Sequence, residues 1–112
     1  VLNGAEFPGV AFVPITFTPD ASKFAGEHCS GVNIIVTNRS EFDPLRTGLE
    51  IARILRLMYP DDWDVEAYAR LLANDFAMRG VRSGQPFEVI EEGYRAELDA
   101  FMKRREAFLL YP

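Results

Sequence analysis

The sequence predicts an α+β fold: a small two- to three-stranded sheet covered by about three helices. Three observations lead there. Two β-branched runs flank a turn-rich loop, two long stretches carry apolar residues at three- and four-residue steps, and 48% of the residues are hydrophobic, as in ordinary globular chains. A chain of 112 residues supports one modest core rather than two. Residues 1–112 therefore read as a single domain, without internal repeat or low-complexity tract.

Residues 1–9, with two glycines and a proline, read as a lead-in loop. Val10 to Phe17 alternates as a strand, with Ala11, Val13, Ile15 and Phe17 on one face. Pro14 has no amide proton for a ladder, which places this strand at an edge or a bulge. Gly31 to Thr37 is the second strand: Val32, Ile34 and Val36 face one way, Asn33, Ile35 and Thr37 the other. Asp43-Pro44 opens a helix, since Asp accepts from free amides and Pro suits the first turn. Its stripe is Leu45, Leu49, Ala52, Leu55 and Met58, with Glu50, Arg53 and Arg56 mostly off it. Pro60 ends that helix. Asp61-Asp62-Trp63-Asp64 then makes a turn that caps a shorter helix over Val65, Tyr68, Leu71 and Leu72.

Residues 74–85 contain Asn74, Gly80 and Gly84 and read as a short helical turn within a loop. The last helix starts at Pro86, with the stripe Phe87, Ile90, Tyr94, Leu98, Phe101 and Arg105. Glu88, Glu91 and Glu92 lie near its start and Lys103, Arg104 and Arg105 near its end, complementing the helix dipole. Phe108-Leu109-Leu110-Tyr111 is apolar enough to pack back as a short strand or extended arm. A sheet of so few strands is marginal by itself, so one apolar face is expected to await a neighbour.

Charge and rare residues exclude several functions. A net charge of −5 disfavours nucleic acid and anionic membrane surfaces. One cysteine, Cys29, rules out an intrachain disulfide and paired-cysteine zinc spacings. One histidine, His28, is too few for a His-rich metal site. His28 and Cys29 are adjacent in extended chain and point to opposite faces, so they do not form a nucleophile–base pair. Cys29 reads as a structural cysteine. No metal or organic cofactor is implied. No apolar run reaches the roughly 20 residues of a bilayer span, so no membrane insertion is expected.

Phe17-Thr18-Pro19, Ser22-Lys23, Gly26, Cys29 and Gly31-Val32 follow one another in a recognisable order. Phe42-x-Pro44, Gly48-Leu49, Tyr59-Pro60 and Leu109-Leu110-Tyr111 follow them. This order resembles the C-terminal domain of the NamZ-like exo-β-N-acetylmuramidases, over nearly the whole chain. The resemblance implies a C-terminal auxiliary domain of a larger two-domain protein, which would be a bacterial, peptidoglycan-recycling glycoside hydrolase. It also implies that the catalytic carboxylates belong to a preceding Rossmann-like domain, so no catalytic residue is assigned here. The opening Val-Leu-Asn, without Met, agrees with a domain of a longer precursor. The partners so implied are the N-terminal catalytic domain of the same polypeptide and a peptidoglycan-derived saccharide, in the bacterial periplasm or outside the cell. A homodimer through an uncovered sheet face is a further possibility.

Two readings of the Thr18–Cys29 loop stand side by side. In one it is a wall of a sugar pocket: Thr18, Ser22, Asn33 and Thr37 offer hydroxyl or amide partners, and Lys23 meets the lactyl carboxylate of muramic acid. In the other it is a structural loop with a solvated lysine. Glu27 is the one carboxylate without a structural explanation. Asp61, Asp62 and Asp64 read as a solvated turn, and the helix-start glutamates as dipole partners. Arg39 follows the second strand, where it reaches a pocket at the strand's end or pairs with Glu41 or Asp43. The expected substrate contacts are therefore Thr18, Ser22, Lys23, Glu27 and Arg39. Most aromatic residues are assigned to helix cores, which leaves Trp63, Tyr59 and Tyr111 as exposed stackers. The chain departs from the resembled pattern at Val13, Ile35 and Asn38, where basic, polar and acidic residues are expected, and at Asp20-Ala21 in place of Thr-Phe. A non-catalytic sugar-binding or protein-interaction module is the alternative reading.

Overall fold

The computed structural model describes residues 1–5 and 7–111; Glu6, within the expected lead-in loop, and Pro112 lie outside the described residues. The fold is α+β. Among the described residues, strands β1 (Val10–Phe17) and β2 (Cys29–Val36) form a two-stranded antiparallel sheet. Helices α1 (Pro44–Met58), α2 (Ala69–Leu72), α3 (Asp75–Arg82) and α4 (Phe87–Arg105) follow. The chain forms two compact units, Val1–Thr47 and Gly48–Pro112, whose boundary falls inside α1.

In the first unit, β1 has its expected bounds, whereas β2 starts at Cys29, two residues earlier than the alternation indicated. The register explains the early start, since Cys29 lies opposite Phe17 and the ladder runs up to the loop. Phe12 is the buried anchor, with the Phe7 ring edge-on at 4.8 Å. The Asn3 carboxamide brackets the Phe12 backbone. Its Oδ1 accepts from the Phe12 N–H at 2.9 Å, and its Nδ2 donates to the Phe12 carbonyl at 2.8 Å. Just before β1, Gly9 has φ +71° and its carbonyl accepts from Thr37 and Asn38. A Cβ there would collide with the Asn38 carbonyl and the Phe42 amide, so only glycine fits. Asp43 caps α1 as expected, its Oδ1 accepting from the Arg46 N–H at 3.0 Å.

The ribbon carries part-exposed apolar side chains on both of its faces. Pairing puts Val32, Ile34 and Val36 on one side and Val13, Ile15, Phe17 and Ile35 on the other, and all seven are between 39% and 48% exposed.

The second unit holds the helical core: Leu49 and Ala52 of α1, Val65, Ala77, Met78 and Val81 of α3, and Phe87 and Ile90 of α4. Here residues 74–85 correct the sequence reading, because α3 is a full helix and not a turn in a loop. Asn74 caps it through Oδ1, which accepts from the Ala77 N–H at 2.9 Å. Gly80 weighs against a helix by propensity, yet it is a contact point. A Cβ there would sit 2.5 Å from Ile90 Cγ1, so the missing side chain lets α3 approach α4. Packing outweighs propensity at this position.

Glu50, placed off the apolar stripe by spacing, also has a tertiary role. Its Oε1 accepts from the Phe87 N–H at 2.9 Å, satisfying a free amide at the start of α4, while its Oε2 pairs with Arg53. Arg56 donates to the Pro60 carbonyl at 2.6 Å and to the Arg82 carbonyl at 3.4 Å. The shorter helix begins as a 3-10 turn, Val65–Tyr68, capped by Asp64. The α4 stripe is buried only in its first turns; Leu98 and Phe101 are exposed. The terminal apolar segment corrects the reading too. Glu106–Phe108 is a 3-10 turn, and Phe108, Leu110 and Tyr111 are exposed rather than packed back.

Two tests follow. Gly80→Ala gains helix propensity of up to ~1 kcal/mol but overpacks against buried Ile90 at a cost of ~1–3 kcal/mol. The urea midpoint is expected to fall; a raised midpoint would show that Ile90 yields freely. Glu66 accepts twice from Arg82, at 2.6 and 2.7 Å. The Arg82 hydrogen bond, aided by its charge, holds the Glu66 carboxyl below its usual range. A depressed folded pKa means that the pair's contribution is complete above the unfolded glutamate pKa and is lost as pH falls through the folded one. A carboxyl titration followed by NMR should therefore show Glu66 rising to its ordinary value in Arg82→Gln.

Candidate functional site

The loop between β1 and β2, residues 18–28, has a defined shape. The Gly26 N–H donates to the Pro19 carbonyl at 2.8 Å, Ala25 to Ser22 at 3.3 Å and Glu27 to Phe24 at 3.0 Å. Ser22, Phe24 and Gly26 lie in the left-handed region, at φ +68°, +64° and +77°. For the two with a Cβ that conformation costs about 1–2 kcal/mol each, which the surrounding turns must offset. The result is a tip where Thr18, Ser22, Lys23 and Glu27 are all exposed. Lys23 Nζ stands 5.2 Å from the centroid of the Phe24 ring, itself exposed. A cation, hydroxyls and an aromatic face together can hold a carboxylate-bearing sugar by charge-assisted hydrogen bonds and ring stacking.

The structure brings four of the five expected contacts to this tip. Arg39 is elsewhere: it follows β2, at the opposite end of an eight-residue ribbon. That is roughly 20 Å away at strand rise. Arg39 is exposed and adjoins the turn in which Asn38 Oδ1 accepts from the Ser40 N–H at 3.0 Å. Thr37 is at that end too, while Asn33 sits mid-ribbon opposite Val13.

The aromatic assignments shift. Tyr59 and Tyr111 are exposed as expected, but Trp63 is half-buried against the helical core, 6.0 Å from Tyr68. Phe24 and Phe17 are exposed aromatic residues beyond the three expected from sequence. For Phe24 a signal existed, since a large aromatic inside a run of turn residues has no regular element to bury it. Elsewhere, Met102, Arg105, Glu106, Leu109, Leu110 and Tyr111 line an open depression of about 490 Å³ that contains none of the expected contacts. His28 is exposed, and the half-buried Cys29 donates through Sγ to the Glu27 carbonyl at 3.6 Å, a structural use. Among the described residues no group of three His, Cys, Asp or Glu side chains is placed to hold a metal ion.

A family model for the C-terminal region of the exo-β-N-acetylmuramidase NamZ matches residues 1–111. The chain belongs to this family. A curated relative, the peptidoglycan β-N-acetylmuramidase NamZ of Bacillus subtilis (strain 168), is 33% identical over 113 residues, covering 98% of this chain and 27% of the relative. The crystal structure of a DUF1343 family protein from Bacteroides fragilis NCTC 9343 matches with a TM-score of 0.64 at 22% identity, over 99% of this chain and 31% of that one. At that identity the likeness is one of fold. The chain thus spans less than a third of the length of these proteins and corresponds to the C-terminal part of a larger NamZ enzyme.

Several positions of the family-like order are scaffold in this fold. Pro19 and Gly26 close the loop through their hydrogen bond, and Gly31 leaves room for the Phe17 ring, which a Cβ would meet at 3.0 Å. Ser22 and Lys23 have exposed side chains. The departures Val13 and Ile35 share one ribbon face and make it more apolar, and Asn38 builds the turn after β2.

Proposed function

We propose that this chain is the C-terminal auxiliary domain of a peptidoglycan-recycling glycoside hydrolase that releases terminal N-acetylmuramic acid, and that its Thr18–His28 loop forms one wall of the substrate cleft. The observation that carries this reading is the juxtaposition of Lys23, Ser22 and Phe24 at a shaped, exposed tip on a ribbon with two open apolar faces. The tip suits a sugar with a carboxylate. The apolar faces favour a docked neighbouring domain over a free-standing sugar-binding module, because such a module would leave them in water. Hydrolysis itself is assigned to the preceding catalytic domain, so the 112 residues alone are expected to be inactive. The periplasm or the cell exterior is the compartment where such a substrate is met. No described helix is long and apolar enough to cross a membrane.

The test is kinetic, on the full-length enzyme with a muramic acid-terminated disaccharide. Removing one charge-assisted hydrogen bond costs ~1.5–3 kcal/mol, so Lys23→Ala should raise KM by roughly tenfold or more. Arg39→Ala, at the far end of the ribbon, should leave KM unchanged. An unaltered KM in Lys23→Ala would remove the loop from the cleft.

A further inference from the structure

The two edges of the β1–β2 ribbon are unlike. Antiparallel strands alternate between residues whose backbone groups face the partner strand and residues whose groups face away. The phase is set at Phe12, whose N–H and C=O are both taken by the Asn3 side chain and so face away from β2. Val10, Phe12, Pro14 and Thr16 therefore form the outer edge of β1. That edge is closed twice, by the Asn3 carboxamide at Phe12 and by the pyrrolidine of Pro14, which offers no proton.

Ile34 lies opposite Phe12, so on β2 the outward residues are Ser30, Val32, Ile34 and Val36. This edge has none of the usual guards. The strand Cys-Ser-Gly-Val-Asn-Ile-Ile-Val contains neither a charge nor a proline. Among the described residues no third strand pairs with it. Four outward N–H and four outward C=O groups in a β-branched segment are a template for strand addition.

We propose that the outer edge of β2, from Ser30 to Val36, receives a further strand from the region that precedes this domain in the longer polypeptide. The open faces select this occupant. A second copy joined edge to edge would complete the ladder but leave Val13, Ile15, Phe17 and Ile35 on one side, and Val32, Ile34 and Val36 on the other, still in water. A body that brings a strand together with layers over both faces satisfies edge and faces at once. The relatives have room for such a body, since about three quarters of the Bacillus subtilis relative lies outside the match. The proposal shares with the proposed function the presence of a preceding domain, but it needs no sugar and no activity.

Amide hydrogen exchange on the full-length protein tests it. Val32 and Ile34 should exchange at least about tenfold more slowly than Thr16, an outward amide on the closed edge and an internal control. Equal rates at Thr16, Val32 and Ile34 would overturn the proposal, as would protection that disappears on dilution, which would assign the edge to a second copy. Ile34→Pro and Thr16→Pro each remove an outward amide and no β1–β2 hydrogen bond, so Ile34→Pro should lower the Tm of the full-length protein more. Equal losses of Tm would count against the strand. A protected edge in a protein without muramidase activity would keep this proposal and remove the functional one; an unprotected edge in an active enzyme would do the reverse.

Discussion

A two-stranded ribbon has two faces, two edges and one layer of side chains, and cannot bury itself. That constraint governs the first half of this molecule. Phe12 is its buried strand anchor, held by Phe7 on its ring and by Asn3 on its backbone. The rest of the ribbon keeps β-branched side chains in contact with water on both sides. Hydrophobic burial normally drives sheet formation, and in this ribbon much of that apolar surface stays exposed. In the proposed function the shaped loop matters for this reason, because a ribbon docked by its faces would present its turn at the margin of the docking surface.

The helical half solves the same problem internally. Its core depends on close approach of α3 to α4, which Gly80 permits by having no side chain where Ile90 lies. Polar groups then finish the helix ends: Asn74 at the start of α3, Glu50 across to the start of α4, and Arg56 on carbonyls near the ends of α1 and α3. These hydrogen bonds satisfy amides and carbonyls that helix geometry leaves free. Beyond its first turns α4 continues past the core with Leu98 and Phe101 exposed, so the second unit also keeps unspent apolar surface.

The candidate site was partly legible. Ser22 and Lys23 stand out in sequence because polar residues between prolines, glycines and β-branched runs have few structural uses, and the fold leaves both exposed at the tip. Arg39 also follows a strand in sequence, but an antiparallel hairpin places the end of its second strand away from the loop. Phe24 is not singled out by the helix stripes that account for most of the aromatic residues. Its left-handed backbone and its place beside Lys23 appear only when the turn is built.

What the sequence determined by itself was local. Alternation set β1 from Val10 to Phe17, Asp43-Pro44 set the start of α1, and Pro86 preceded α4, because each depends on a few neighbouring residues. The order of turn and strand residues also carried the family. What tertiary structure decided was non-local. It made a helix of residues 75–82 through packing against Ile90, gave Glu50 a partner 37 residues away, and left the terminal Phe108–Tyr111 segment in water. It set Asn3 against Phe12 on one edge of the ribbon, while among the described residues no further strand pairs with the other. Alternation reports which faces of a strand are apolar, but only assembled neighbours decide which of them are covered.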